Sequence, residues 1–131
     1  MIFPETKLTV ADNSGAKHAK CIQILNRQNY NVGSVGNILL VRVVKKNHSR
    51  KIKKKTLYFG LVIMIKQYRT RKDGCILKFK DNRILLFSNV QKIIGSRIYS
   101  PIMMEVKTQL RMNKKEQQKY LKVFSYSTFI I

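Results

Sequence analysis

Residues able to do chemistry are few in this chain of 131 residues, and they are poorly placed to cooperate. The two histidines, His18 and His48, are surrounded by Lys or Arg, with no obvious carboxylate to share a proton. Asp73 and Asp81 stand in the turn-forming pairs Asp73-Gly74 and Asp81-Asn82, where bonding the local backbone is role enough. A general acid/base pair built from these two has nothing else to support it. Gly33 and Gly36 do not precede a helical pattern, so a phosphate-cradling loop is the wrong reading. Cys21 and Cys75 lie far apart, with no second Cys or His at ligand spacing. They read as reduced, strand-borne thiols of an intracellular protein, with a disulfide as the alternative. The expectation is therefore no catalytic residue, no cofactor, no metal site and no small-molecule substrate.

What the chain has in abundance is positive charge. Its 27 Lys and Arg against 6 Asp and Glu give a net charge of +21, on a chain that is 44% hydrophobic and so able to fold. The bland reading of a charge run is a solvated face, but this excess has one sign and nothing nearby to neutralise it. Such a field attracts polyanions, either nucleic acid or an anionic membrane surface. The excess is uneven: +2 over residues 1–40, +13 over 41–83 and +6 over 84–131. The longest aliphatic run, Leu61 to Ile65, is far short of the roughly 20 residues of a membrane span. The N-terminal residues MIFPETKLTV resemble neither a secretory signal nor an Arg- and Ser-rich import leader. Binding to lipid would need a basic amphipathic helix, and Lys45 to Lys55 holds only Ile52 as an apolar residue, so no membrane partner is expected.

The elements that must carry these charges are strands. Leu8 and Val10 alternate with polar neighbours, and Ala19 to Leu25 reads as a short, largely buried strand. Val35 to Val44 and Leu57 to Ile65 are β-branched runs, and Ile76 to Phe79 and Ile84 to Phe87 follow, each bounded by turn signals. Five or six short strands at close spacing predict a mostly β fold, a small five-stranded antiparallel barrel whose closure removes exposed edges. Lys45 to Lys55, KKNHSRKIKKK, has a pattern that cannot fill a core and is expected to project as a basic β-ribbon. Gln67 to Lys72 leads into Asp73-Gly74, the signal for a second basic hairpin, in which Tyr68 could offer a stacking face. From about residue 104 the apolar spacing turns helical, with Asn113 and Glu116 placed as a capping pair. One or two short helices are expected to about Lys119, then an extended piece, YLKVFSYSTFII. No repeat or linker divides residues 1–131, which read as a single domain with a helical extension.

The residue strings go further than the composition. ADNSGA at Ala11 to Ala16, a basic pair and then CIQIL at Cys21 to Leu25 resemble the opening of the large-subunit ribosomal protein L-fourteen family. Gly60 followed by Leu61, Val62 and Ile63, then Asp73-Gly74, Phe79, Asn82 and Leu85-Leu86, is similar to that family's central signature, with Leu85 where Val is usual. IIGSRIYSPI at Ile93 to Ile102 is similar to its IGTRIFGPV, and YLKVFSY to its closing pattern. The likeness runs from about Lys7 to the C-terminus. Departures fall in loops: Lys55 stands where a Gly is usual, and RMNKKEQQK is a somewhat longer insert.

The resemblance implies a structural, non-enzymatic constituent of the large ribosomal subunit, a five-stranded barrel with a protruding basic ribbon and short C-terminal helices. Its implied partners are large-subunit rRNA, small-subunit rRNA at an intersubunit bridge, and neighbouring proteins of the L-three and L-nineteen type. Candidate rRNA contacts are Asn13, Ser14 and Lys17; Lys45, Lys46, Arg50, Lys51, Lys53, Lys54 and Lys55; and Arg69, Arg71 and Lys72. Asn13, Ser14 and Gly15 are also simply good turn residues. In relatives the surface of the third motif and the terminal strand docks a ribosome-silencing factor, which carries over to Ser96, Arg97 and Lys122. The competing reading is a free single-strand nucleic-acid-binding barrel acting as an RNA chaperone or translation factor. Exposed aromatics on a sheet face would favour it, whereas the strands of Tyr58, Tyr68, Phe79 and Phe87 suggest burial. The bias to 15 Ile and 19 Lys against 8 Arg, without Trp, suits an AT-rich genome. It suggests an organelle-encoded protein of a mitochondrial ribosome first, a plastid-type organelle second and a bacterial cytoplasm third.

Overall fold

A computed structural model of the chain describes residues 1–25, 32–47, 52–53, 55–89, 92–112 and 115–131. Among these residues eight strands are formed: β1 (Lys7–Val10), β2 (Ala16–Leu25), β3 (Ile38–Lys46), β4 (Leu57–Met64), β5 (Arg69–Thr70), β6 (Ile76–Leu77), β7 (Arg83–Asn89) and β8 (Lys92–Ile93). An α-helix, α1 (Met104–Met112), and a 3-10 helix (Lys115–Ser125) follow. The main sheet runs β1-β2-β3-β4-β7-β8, and β1 also pairs with β7, so five strands close into a barrel. The ladders around the ring are antiparallel except the closing one, where Thr9 and Val10 run parallel to Arg83 and Ile84. That pairing is possible because the long crossing of the chain from β1 to β7 brings the two strands side by side in the same sense.

Alternation fills the barrel from β1 and β3: Leu8 and Val10, then Leu39, Val41 and Val43, are buried. β4 and β7 are buried on both faces, from Gly60 to Met64 and from Ile84 to Phe87, which is why they read as continuous apolar runs rather than alternating ones. The C-terminal helices supply the second cover. Tyr120 sets its ring edge-on to Phe87 at 4.7 Å, and Val106, Leu110 and Val123 are fully buried beside it. Gly36, at φ 82°, lets α1 approach closely: a Cβ there would lie 2.6 Å from Cβ of Gln109.

Several expectations are corrected. β2 is interrupted by bulges, one of them between Cys21 and Gln23, which turn Ile22 and Gln23 outward instead of burying the strand to Leu25. Ile76 to Phe79 is no barrel strand. Ile76 and Leu77 pair only with Thr70 and Arg69 in a separate hairpin, turned at Asp73-Gly74 with Gly74 at φ 77°. The segment from residue 120 is not extended, because the 3-10 helix continues to Ser125 to seat Tyr120 and Val123. Only then does the chain straighten and bridge Ile130 to Ile102. The expected cap at Asn113 lies outside the described residues.

Candidate nucleic-acid interface

The basic segment after β3 is organised differently from a simple β3–β4 ribbon. Pairing between β3 and β4 ends at Arg42 and Leu57, while β3 continues along β2, setting Lys45 against His18 and Lys46 against Ala16. The main-chain N–H of Asn47 donates to Gly15 at 2.8 Å. The structure thus brings Lys17 to Lys45 and Lys46, from which it lies far in sequence. Ile52, expected to be a lone apolar residue in a projecting loop, is instead fully buried and pins the segment to the barrel. Lys46 Nζ donates to the Ile52 carbonyl at 2.8 Å, and Lys53 N–H donates to the Tyr58 hydroxyl at 3.1 Å. Lys17, Lys45, Lys53 and Lys55 are exposed. Arg50, Lys51 and Lys54 lie outside the described residues. The field of this cluster is felt by His18, whose pKa is held below the ordinary histidine value by desolvation first, then by Lys7, Lys45 and Lys17.

Asn13 and Ser14 take a different part from the one expected of RNA contacts. Ser14 is fully buried, its side chain directed to Asp12, so its hydroxyl shapes the loop rather than meeting a phosphate. Asp12 is buried as well. One carboxylate oxygen accepts the N–H of Ser14 at 3.0 Å and the other that of Leu86 at 3.0 Å. Burial pushes the Asp12 carboxyl up, against the lowering effect of these hydrogen bonds. Asn13 reaches the other way. Its Oδ1 accepts the N–H groups of Ser96 at 2.8 Å and Arg97 at 3.1 Å, and its Nδ2 donates to the Ser96 hydroxyl at 3.1 Å. Gly95 admits this contact, since a Cβ there would fall 2.7 Å from Cβ of Asp12. The first motif is therefore a clamp on the third.

Beyond that clamp, Ser96 and Lys122 share a concavity of about 320 Å³ with Lys92, Ile93, Ile94, Gly95 and Tyr126, and Arg97 is exposed next to it. Lys92 and Tyr126 were not singled out from sequence: Lys92 precedes the third motif, Tyr126 closes the YLKVFSY string, and only the meeting of β8 with the end of the 3-10 helix brings them to one place. In the β5–β6 hairpin, Arg71 is engaged within the protein. Its Nε and Nη2 grip Glu105 at 2.6 and 3.0 Å, and Nη2 also donates to the main-chain oxygen of Ile131 at 2.8 Å. Arg69 is half-buried and Lys72 exposed. Tyr68, expected to be buried, is 64% exposed, whereas Phe87 is buried and Tyr58 and Phe79 are half-buried. A stacking platform across a sheet face is thus not formed by these four.

Among the described residues no three His, Cys, Asp or Glu gather where they could hold a metal, and no helix is long and apolar enough to cross a membrane. Both cysteines are free, Cys21 buried and Cys75 exposed. A closed barrel with cations exposed on its loops defines a small, strongly basic β-barrel protein. Residues 1–131 match the family described as "Ribosomal protein L14p/L23e". The chain is also 38% identical over 131 residues, covering 100% of both chains, to the "Large ribosomal subunit protein uL14" of Carsonella ruddii (strain PV). The chain belongs to the ribosomal protein L14p/L23e family. It is a structural constituent of the large ribosomal subunit and not an enzyme.

Proposed function

We propose that the chain holds large-subunit rRNA through the cluster formed where β2 and β3 run on together: Lys17, Lys45, Lys46, Lys53 and Lys55, with Arg50, Lys51 and Lys54 of the same segment. The observation that carries this reading is the convergence of Lys17, Lys45 and Lys46 where β2 and β3 run on together, next to a segment that buried Ile52 pins to the barrel. Lysines placed this way neutralise phosphates and release counterions, which positions a protein without reading sequence. Selectivity then comes from the match between a rigid barrel and folded RNA. Lys72 and Arg69 extend the contact, while Asn13, Ser14 and Arg71 serve by holding loops in place.

The concavity of Ser96 and Lys122, with Arg97, is the surface proposed for neighbouring proteins of the L-three and L-nineteen type, for a ribosome-silencing factor and for the approach of small-subunit rRNA. Composition alone favoured a mitochondrial ribosome. The relative's source is a bacterium, which supports the bacterial placement over the mitochondrial and plastid ones. Sedimentation of a native extract through a high-salt sucrose gradient tests the central claim. The protein is expected to travel with the large subunit, and a slow free peak would overturn the reading in favour of a free nucleic-acid-binding barrel.

A further inference from the structure

We propose that Tyr68, braced by Lys78, is a stacking seat for one unpaired nucleobase of a single-stranded RNA segment. The inference rests on the RNA-binding reading above and names a site within it. Tyr68 enters the β5–β6 hairpin, away from the barrel, and is 64% exposed. An aromatic ring that contributes so little to the core has no folding reason to be fixed, yet it is fixed. Lys78 Nζ sits 4.4 Å from the ring centroid and donates to the Tyr68 hydroxyl at 2.8 Å. The cation holds the ring from its hydroxyl end and leaves its surface open, so a base stacking there meets an already positioned partner.

The surroundings suit a nucleotide. Lys66, Lys78 and Lys80 line a concavity of about 360 Å³ with Phe79, and Arg69 and Lys72 follow on the same hairpin. None of these five cations forms an ion pair among the described residues, whose pairs are Lys20–Glu5, Arg71–Glu105 and Arg83–Asp81. An exposed π surface held by Lys78, on a hairpin that also carries cations outside any ion pair, offers stacking to a base and charge to its flanking phosphates. An acidic peptide would use the cations but not the braced ring. A paired RNA could not use the ring either, because its bases are stacked inside the helix.

The chain contains no Trp, so Tyr68→Trp places a single indole at the site. The full-length variant would be titrated at low salt with a uridine-rich RNA octamer, a fully paired RNA duplex, inorganic polyphosphate and a Glu-rich peptide. Quenching by the octamer well beyond that by the duplex or polyphosphate is expected. In parallel, Tyr68→Ala should weaken octamer binding by about five- to hundredfold and Tyr68→Phe by no more than about threefold, because the ring is what stacks. The exposed position lets each variant fold, which circular dichroism checks. Equal quenching by polyphosphate, unchanged octamer affinity in Tyr68→Ala, or preference for the peptide would overturn the proposal. Octamer binding that survives Tyr68→Ala at full strength defeats this site alone. Failure of every RNA to bind the unaltered protein defeats the RNA-binding reading with it.

Discussion

Asp12 and Asn13 show how a short polar string acquires two jobs from two neighbours. From sequence, Asn13, Ser14 and Gly15 were legible as a turn and as members of a motif, but the roles of the side chains were not. Those roles depend on partners more than seventy residues away, Leu86 for Asp12 and Ser96 with Arg97 for Asn13, and no local pattern carries that distance. The chemistry makes Asp12 hard to replace. Both its oxygens accept main-chain N–H groups, so Asp12→Asn must aim an amide N–H₂ at one of two donors. Leaving a buried donor unmet costs about 1–3 kcal/mol. Asp12→Asn is therefore expected to lower stability by that amount in urea unfolding. It should also broaden the amide resonances of Ser96 and Arg97 while those of β3 stay sharp. Wild-type stability together with an undisturbed 96–97 segment would show that the acceptor pair is dispensable.

At the scale of elements, what was legible followed local pattern, and what was missed followed tertiary cover. The β-branched runs of β3, β4 and β7 and the Asp73-Gly74 turn formed as their residues dictated. The 3-10 helix to Ser125 did not, because Tyr120 and Val123 are drawn into the core against Phe87 regardless of intrinsic preference. Ile52 was misread for the same reason: one apolar side chain among lysines looks solvated until a pocket is found for it. The β5–β6 hairpin is tied to the start of α1 by the forked contact of Arg71 with Glu105 and to Ile131 by the same guanidinium. The hydrogen bond from Arg71 holds the Glu105 carboxyl below the usual glutamate range. A folded-state pKa below the unfolded one adds stability above the unfolded value, about 4.3 for Glu, and that stability is lost as pH falls through the folded value. Glu105→Gln should accordingly unfold at lower urea than the wild type at pH 7, with the gap closing toward about pH 3. A gap that persists unchanged in acid would mean that the ion pair contributes nothing through its charge.

For the molecule as a whole, the distribution of acids matters as much as the excess of bases. Among the acids whose side chains are described, Glu5 is paired with Lys20, Asp81 with Arg83 and Glu105 with Arg71, while Asp12 is spent on main-chain donors. Asp73, at its hairpin tip, is left exposed. Most of the described acids thus have partners within the protein and few are left to offset the surface cations, so the +21 read from sequence survives folding as an outward field. A field alone would bind any polyanion over any part of the surface. The cluster around the β2–β3 run makes a narrower demand, because Lys17, Lys45 and Lys53 are carried on backbone that the barrel and Ile52 hold still. If they meet phosphates, replacing all three with Ala should lower the dependence of log affinity on log salt by about 0.7–0.9 per contact, roughly two to three in total, against an rRNA fragment. Lys107, exposed on α1 and set 6.0 Å from the Phe124 ring, is the control: Lys107→Ala should leave the slope where it was. Equal slopes for the triple variant and the control would mean that affinity comes from diffuse charge. A loss confined to the triple variant would mean that the pinned segment grips the backbone at fixed points.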